Sequence, residues 1–254
     1  MTRAGRGAGY EAVVFDLFGT LVHVDAERLP VHVEGGRSTR STIPVLLDVC
    51  RRHGLTVTGA CLWEALGAVR DELRAEAAAD VEIPSRHRFR RALALLGADD
   101  ETAEAVGVLV SRAHLSAIAA AAFVPDAHWR VLDLVSRRAR TGIVSNFDDT
   151  ASAYALLARV GLLQRVDTVV VSEAVGRRKP HPLPLRVALD ALGMSADGMV
   201  YVGDSYRADV GVARAVGSDV AWIDVDGAGP PGPDRPEYVL DDLPGLVPAL
   251  GWAP

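Results

Sequence analysis

Three short apolar runs in this chain each end in small polar or acidic residues. Residues 12–15, AVVF, lead into Asp16; residues 141–144, TGIV, lead into Ser145-Asn146; and residues 198–202, GMVYV, lead into Gly203-Asp204. Runs this short and this apolar suit strands that are covered on both faces, the usual condition of a parallel sheet. Helical stretches separate them, at 126–138, 150–160, 182–192 and 206–216, with Gly161 and Gly217 as stops. Further strands are expected at 166–171 and 218–223, and a short one at 238–240 before a last helix near 243–250. This is the βαβ rhythm of a parallel sheet with crossover helices. In such sheets ligands bind beyond the carboxyl ends of the strands, so the three polar endings fall on one rim.

Between the first strand and the rest, the strand signals stop. Residues 25–40 have poor periodicity and read as a linker. Four helical segments follow. The first has its apolar face on Ile43, Val45, Leu46, Leu47 and Val49. The second, 58–79, has Leu62, Leu66, Val69 and Leu73 at helical spacing. The third, 85–96, lies between Pro84 and Gly97. The fourth, 100–122, carries Val106, Leu109, Val110 and Leu115. The fold class expected is α/β: a Rossmann-like parallel-sheet core from 10–24 and 124–254, with an all-helical unit at 25–123 inserted after the first strand.

Bulk properties exclude some functions. The formal net charge of -6 has no block of like charges behind it, which argues against a nucleic-acid or anionic-membrane partner. No apolar run approaches the roughly 20 residues of a membrane span. Cys50 and Cys61 form no metal-binding or redox spacing and read as ordinary thiols of a reducing compartment. The basic N-terminal MTRAGRGAGY lacks an apolar signal core and reads as a disordered lead-in, so the cytoplasm is the expected location. Nothing in the sequence speaks to oligomeric state.

Of 27 Lys and Arg residues, Lys179 alone is lysine. Arginine cannot replace a compact point charge that must sit close to a crowded anionic centre, so Lys179 is a candidate functional residue. The acids supply that centre. Asp16 and Asp204 share a rim, with Asp209 one turn into the next helix, and like carboxylates in one site cannot all ionise cheaply. A hard cation resolves the conflict, and Mg²⁺ takes oxygen ligands and commonly bridges to phosphate. Ser145 and Asn146 can donate to phosphoryl oxygens, Lys179 can offset charge, and Asp16 can attack phosphorus to form an aspartyl phosphate.

With these residues in place, the chain resembles the haloacid dehalogenase (HAD) superfamily along nearly its whole length. FDLFGTLV is similar to the first motif, with Asp16 as nucleophile; IVSN to the second, with Ser145 as phosphate-binding hydroxyl; GRRKPHP to the third, with Lys179; and VGDSYRADVGVARAVG to the fourth, with Asp204 and Asp209 as acids. Four motifs in order carry far more weight than any one. The resemblance implies that the insertion is a C1-type cap, a mobile lid, and that the backbone carbonyl of Phe18 joins Asp16 and Asp204 on Mg²⁺ while Asp209 supports the site. It also implies that Thr20, Ser145, Asn146 and Lys179 hold the phosphoryl group of a small phosphorylated metabolite.

One position departs from the family phosphatases, which carry Asp two residues after the nucleophile as general acid and base. Here that residue is Phe18. General acid–base help contributes roughly 10²- to 10⁴-fold, so another group serves, leaving groups are good, or turnover is slow. His23, Asp148 and Asp149 are substitute candidates, although packing suits His23 and helix capping suits the two acids better. An aromatic here also occurs in the metal-independent 2-haloacid dehalogenases, but their fourth motif typically reads SSNxxD, whereas Gly203-Asp204-Ser205 is the phosphatase version. A phosphonate-cleaving relative would need a cap lysine, which is absent. The reading is thus a Mg²⁺-dependent phosphomonoester hydrolase, with a metal-independent dehalogenase or a catalytically weak binding protein as alternatives. Arg86, Arg88, Arg90 and Arg91 either meet an acidic substrate or form a solvated helix face.

Overall fold

The computed structural model describes residues 9–76 and 78–252, and most of the N-terminal lead-in lies outside that range. The chain divides into two compact units, 1–23 with 123–254, and 24–122.

The first unit is built on a six-stranded parallel sheet. Its strands are β1 (Ala12–Phe15), β6 (Arg140–Ser145), β7 (Thr168–Val171), β8 (Met199–Gly203), β9 (Asp219–Ile223) and β10 (Tyr238–Leu240), in the order β10-β9-β8-β1-β6-β7. β1 is central, with Phe15 paired to Ile143 on one side and to Val202 on the other. Its four residues are completely buried, as a strand covered on both faces requires. The crossovers are α5 (Asp126–Ser136), α6 (Thr150–Arg159), a single turn α7 (Ser172–Val175), α8 (Leu183–Leu192) and α9 (Gly211–Val216). A π-helical turn at Tyr206–Val210 replaces the first half of the helix expected at 206–216. Tyr10, expected in a disordered lead-in, is buried, and its hydroxyl donates to Asp219 Oδ2 at 2.5 Å. Two short strands, β2 (His23–Val24) and β5 (Ala122–Phe123), pair where the chain leaves this unit and returns.

The second unit has four helices, α1 (Ile43–Arg52), α2 (Gly59–Glu76), α3 (Ser85–Leu95) and α4 (Asp100–Ala121). Ile43, Leu46, Cys50, Leu62, Phe89 and Val106 meet in its main core. By length and composition α4 would suffice to cross a membrane, but its Ala103, Val106 and Val110 are buried in this core. Leu109, expected on its apolar face, is instead 36% exposed. Residues 25–40 are not a plain linker. They form a short turn at Ala26–Arg28 and an antiparallel hairpin, β3 (Val31–Glu34) with β4 (Arg37–Arg40). Gly35 and Gly36 both have positive φ (58° and 75°), which the tight two-residue turn of such a hairpin requires. On α3, Arg91 forks onto Glu76 at 2.7 and 2.8 Å, and Arg90 lies 3.5 Å from Glu104. Pairs of this kind contribute little. Arg86 is exposed, but Arg88, Arg90 and Arg91 are half-buried and the Arg88 Nε is buried, so the four do not form a uniformly solvated face.

Candidate active site

The residues singled out at the strand ends lie on the first unit. Asp16 follows β1 directly and its backbone N–H donates to Val202 O at 2.8 Å, extending the ladder by one residue. Ser145 closes β6 and is buried; Asp204 follows β8. Two glycines let these segments approach. A Cβ on Gly19, whose φ is +83°, would lie 2.3 Å from Asp204 Oδ2, and one on Gly203 would lie 2.3 Å from Asp209 Cγ. Any side chain at either position would displace an acid.

Lys179 is the centre of the cluster and is 3% exposed. Its ammonium has three hydrogens to donate, and three acceptors surround it: Asp16 Oδ1 at 2.5 Å, Asp209 Oδ1 at 2.8 Å and the Tyr201 hydroxyl at 2.8 Å. Burial pulls the lysine pKa down, but Asp16 and Asp209 outweigh it and hold the group well above its usual value. Asp209 is fully buried, and its other oxygen accepts from Ser205 N–H at 2.8 Å. Burial pushes its carboxyl up to about 7 against the pull of Lys179. Asp204 is raised first by burial and then by the charge of Asp16.

Two residues expected to hold phosphoryl oxygens make other bonds. Asn146 clamps the backbone of Lys179: its Oδ1 accepts from Lys179 N–H at 2.7 Å and its Nδ2 donates to Lys179 O at 3.1 Å. The Thr20 hydroxyl is buried and donates to Asp204 Oδ1 at 3.3 Å. Of the substitute acids, Asp149 caps α6 through Ser152 N–H at 2.8 Å, Asp148 is half-buried, and His23 packs against His128 with ring centroids 5.3 Å apart. The Phe18 ring stacks on Phe147 at 5.7 Å and 12°.

Tyr201 is the site residue that sequence reasoning passed over. It sits mid-strand in β8, completely buried, and its hydroxyl donates to Val144 O at 3.1 Å while accepting from Lys179. It thereby links Lys179 to β6 one residue before Ser145. The available signal was chemical: a phenol in a strand buried along its whole length must find a partner for its hydroxyl.

The donor set suits a hard divalent cation. Asp16, Asp204 and Asp209 each offer a carboxylate oxygen, all within 4.8 Å of one another. Among the described residues no hydrogen bond falls on Asp16 Oδ2 or on the Phe18 carbonyl. Asp209 is the fully buried member of the three, with both oxygens engaged.

Three acids and a buried lysine thus gather at the carboxyl rim of a parallel sheet. The profile of the haloacid dehalogenase-like hydrolases matches residues 10–217, and the chain belongs to that family. A phosphoglycolate phosphatase from Rhodospirillum rubrum is 33% identical over 215 residues, covering 83% of this chain and 78% of that protein. Among solved structures, a 2-haloacid dehalogenase from Pseudomonas syringae superposes with TM-score 0.71 at 21% identity, over 95% of this chain and 98% of that one. The HAD-hydrolase YfnB from Bacillus subtilis, bound to magnesium, gives 0.61 at 18% identity, over 95% and 99%. At these identities the two structures speak to fold alone.

Proposed function

We propose that the chain is a Mg²⁺-dependent hydrolase of small phosphomonoesters that works through an aspartyl phosphate on Asp16. The observation that carries this reading is the state of Asp16 itself: one oxygen is bonded to Lys179, the other has no donor among the described residues, and the residue shares a cluster of carboxylate oxygens within 4.8 Å with Asp204 and Asp209. Asp16 attacks phosphorus, the bond to the ester oxygen breaks, and water later releases phosphate and restores the carboxylate. Asp16, Asp204 and the Phe18 carbonyl hold the cation, which supplies charge neutralisation when bound. Asp209 and Tyr201 aim Lys179, which steadies Asp16 and offsets charge on the phosphoryl group together with Ser145. Asn146 and Thr20 act one step back, as positioning residues for Lys179 and Asp204. The crowded acids favour this reading over a metal-free dehalogenase, because without a cation Asp16 and Asp204 repel each other. The similarity to a phosphoglycolate phosphatase supports a small phosphorylated substrate.

The test is hydrolysis of p-nitrophenyl phosphate and of 2-chloropropionate, each with Mg²⁺ and with EDTA. Phosphate release that requires Mg²⁺ is expected, with Asp16→Asn at least about 10⁴-fold slower yet folded. Halide release insensitive to EDTA would replace this reading with the dehalogenase one.

A further inference from the structure

We infer that this enzyme acts on phosphate esters whose leaving oxygen departs without a proton, aryl esters above all, and that Phe18 and Phe147 form the surface on which the leaving group lies. The inference rests on the phosphatase reading above and narrows it to a substrate class.

The first argument concerns the proton. Attack by Asp16 forms an Asp–O–P bond and breaks the ester P–O bond, whose electron pair departs on the leaving oxygen. An alkoxide is about as basic as hydroxide, whose parent water ionises near about 15.7, and needs an acid at that moment. A phenol ionises near about 10, so phenolate can leave as the anion and take its proton from solvent afterwards. The protonatable groups clustered with the nucleophile are otherwise engaged. All three hydrogens of Lys179 are donated inside the protein. Asp209 is fully buried with both oxygens bonded. Asp204 belongs to the cation set, Asp149 caps a helix, Asp148 interacts within the protein, and His23 packs against His128 and Phe123.

The second argument concerns what stands there instead. Two residues beyond the nucleophile comes Phe18, its ring stacked in near-parallel fashion on Phe147. Phe147 is held at its backbone from both sides by one buried hydroxyl: Phe147 N–H donates to Ser172 Oγ at 2.9 Å, and Ser172 Oγ donates to Phe147 O at 3.2 Å. Both rings are only half-buried. The segments that follow Asp16 and Asn146 thus carry a stacked, half-buried aromatic pair, suited to offset stacking with another ring.

The experiment is a leaving-group series on the full chain with Mg²⁺: p-nitrophenyl, phenyl and benzyl phosphate, and 2-phosphoglycolate. Benzyl phosphate carries a ring but leaves as an alkoxide, so it separates the two arguments. Expected kcat/KM falls from p-nitrophenyl through phenyl to benzyl, spanning roughly 10²- to 10⁴-fold. Benzyl phosphate should exceed phosphoglycolate by up to about tenfold through stacking. Phe18→Asp should raise benzyl turnover relative to p-nitrophenyl, and Phe147→Leu should shrink the benzyl advantage. Phe18→Leu, which keeps the position apolar, serves if the aspartate variant does not fold and should likewise shrink that advantage. Turnover of all four esters within tenfold, or ratios unmoved in folded Phe18 and Phe147 variants, overturns the inference alone. No phosphate from any ester overturns the phosphatase reading and this inference with it.

Discussion

The sheet unit gathers buried charge in one hydrogen-bonded cluster, whereas two neutral polar pairs tie the helices of the other unit. On the sheet unit, Lys179 sits between Asp16, Asp209 and Tyr201, so charged groups are held out of water within hydrogen-bond distance of one another. In the helical unit two of the polar contacts join neutral partners, although Glu82 and the Arg88 Nε are buried there as well. Ser85 and Ser111 share a 2.7 Å bond between α3 and α4, and Thr42 Oγ1 lies 2.8 Å from His114 Nδ1. Burial, with Arg88 adding to it, lowers the His114 pKa to about 4, so the ring is neutral at pH 7. Neutral pairs tie helices together at small cost. Buried ions each cost several kcal/mol of desolvation, which packing alone gives no reason to incur. The proposed chemistry on Asp16 supplies such a reason, and the difference can be tested by neutralising the cluster.

The largest effect is expected at Lys179. Lys179→Met keeps the volume but leaves Asp16 and Asp209 buried without their partner. Removing one member of a buried pair costs about 3–5 kcal/mol, and activity should fall at least about 10²-fold. Urea unfolding and p-nitrophenyl phosphate turnover read the two effects. Ser111→Ala, the matched change in the helical unit, should cost about 1 kcal/mol and leave kcat unchanged. Equal losses in the two variants would break the contrast. Tyr201→Phe comes between them. It removes one acceptor from Lys179 and the donor from Val144 O, at about 1–3 kcal/mol, and as a positioning change it should lower kcat more than it raises KM. A variant that loses stability with kcat intact would reduce Tyr201 to a structural hydroxyl.

The same contrast explains what the sequence made legible. Carboxylates at the ends of apolar runs, and one lysine among many arginines, stand out because burial disfavours them, so the sheet and its rim were visible from residue types alone. Tyr201 was not, because in MVYVG its ring passes for one more apolar residue. Asn146 and Thr20 were found on the rim, but the bonds they make to Lys179 and Asp204 were not legible, since residue type does not reveal whether a side chain is already bonded inside the protein. The hairpin at residues 31–40 was missed although VHVE alternates and Gly35-Gly36 is a turn signal. Its second strand, RSTR, is wholly exposed and polar, so only pairing, not burial, defines it.

The smallest effect expected is the acid response of His114, and its sign sharpens the comparison. The imidazole titrates near about 6.5 in an unfolded chain and at about 4 in the folded one. Above 6.5 both states are neutral and no difference arises. As pH falls below 6.5, the unfolded chain takes up a proton that the folded helical unit does not, so stability is lost progressively down to about 4, at about 1.4 kcal/mol per unit. Between pH 7 and pH 5.5 this is about 1 kcal/mol. Asp209 works in the other direction: its folded pKa is raised, so the folded state binds the extra proton over that range and gains stability as pH falls. The net pH curve of the whole protein therefore mixes two opposed slopes. Comparing the wild type with His114→Gln at each pH cancels the Asp209 contribution, because the two sites lie in different units and share no partner. The wild type should lose about 1 kcal/mol relative to the variant between pH 7 and pH 5.5 by urea unfolding. A difference that stays constant with pH would show that His114 is as free to protonate as an exposed histidine, and the neutral character assigned to the helical unit's polar contacts would fail at that residue.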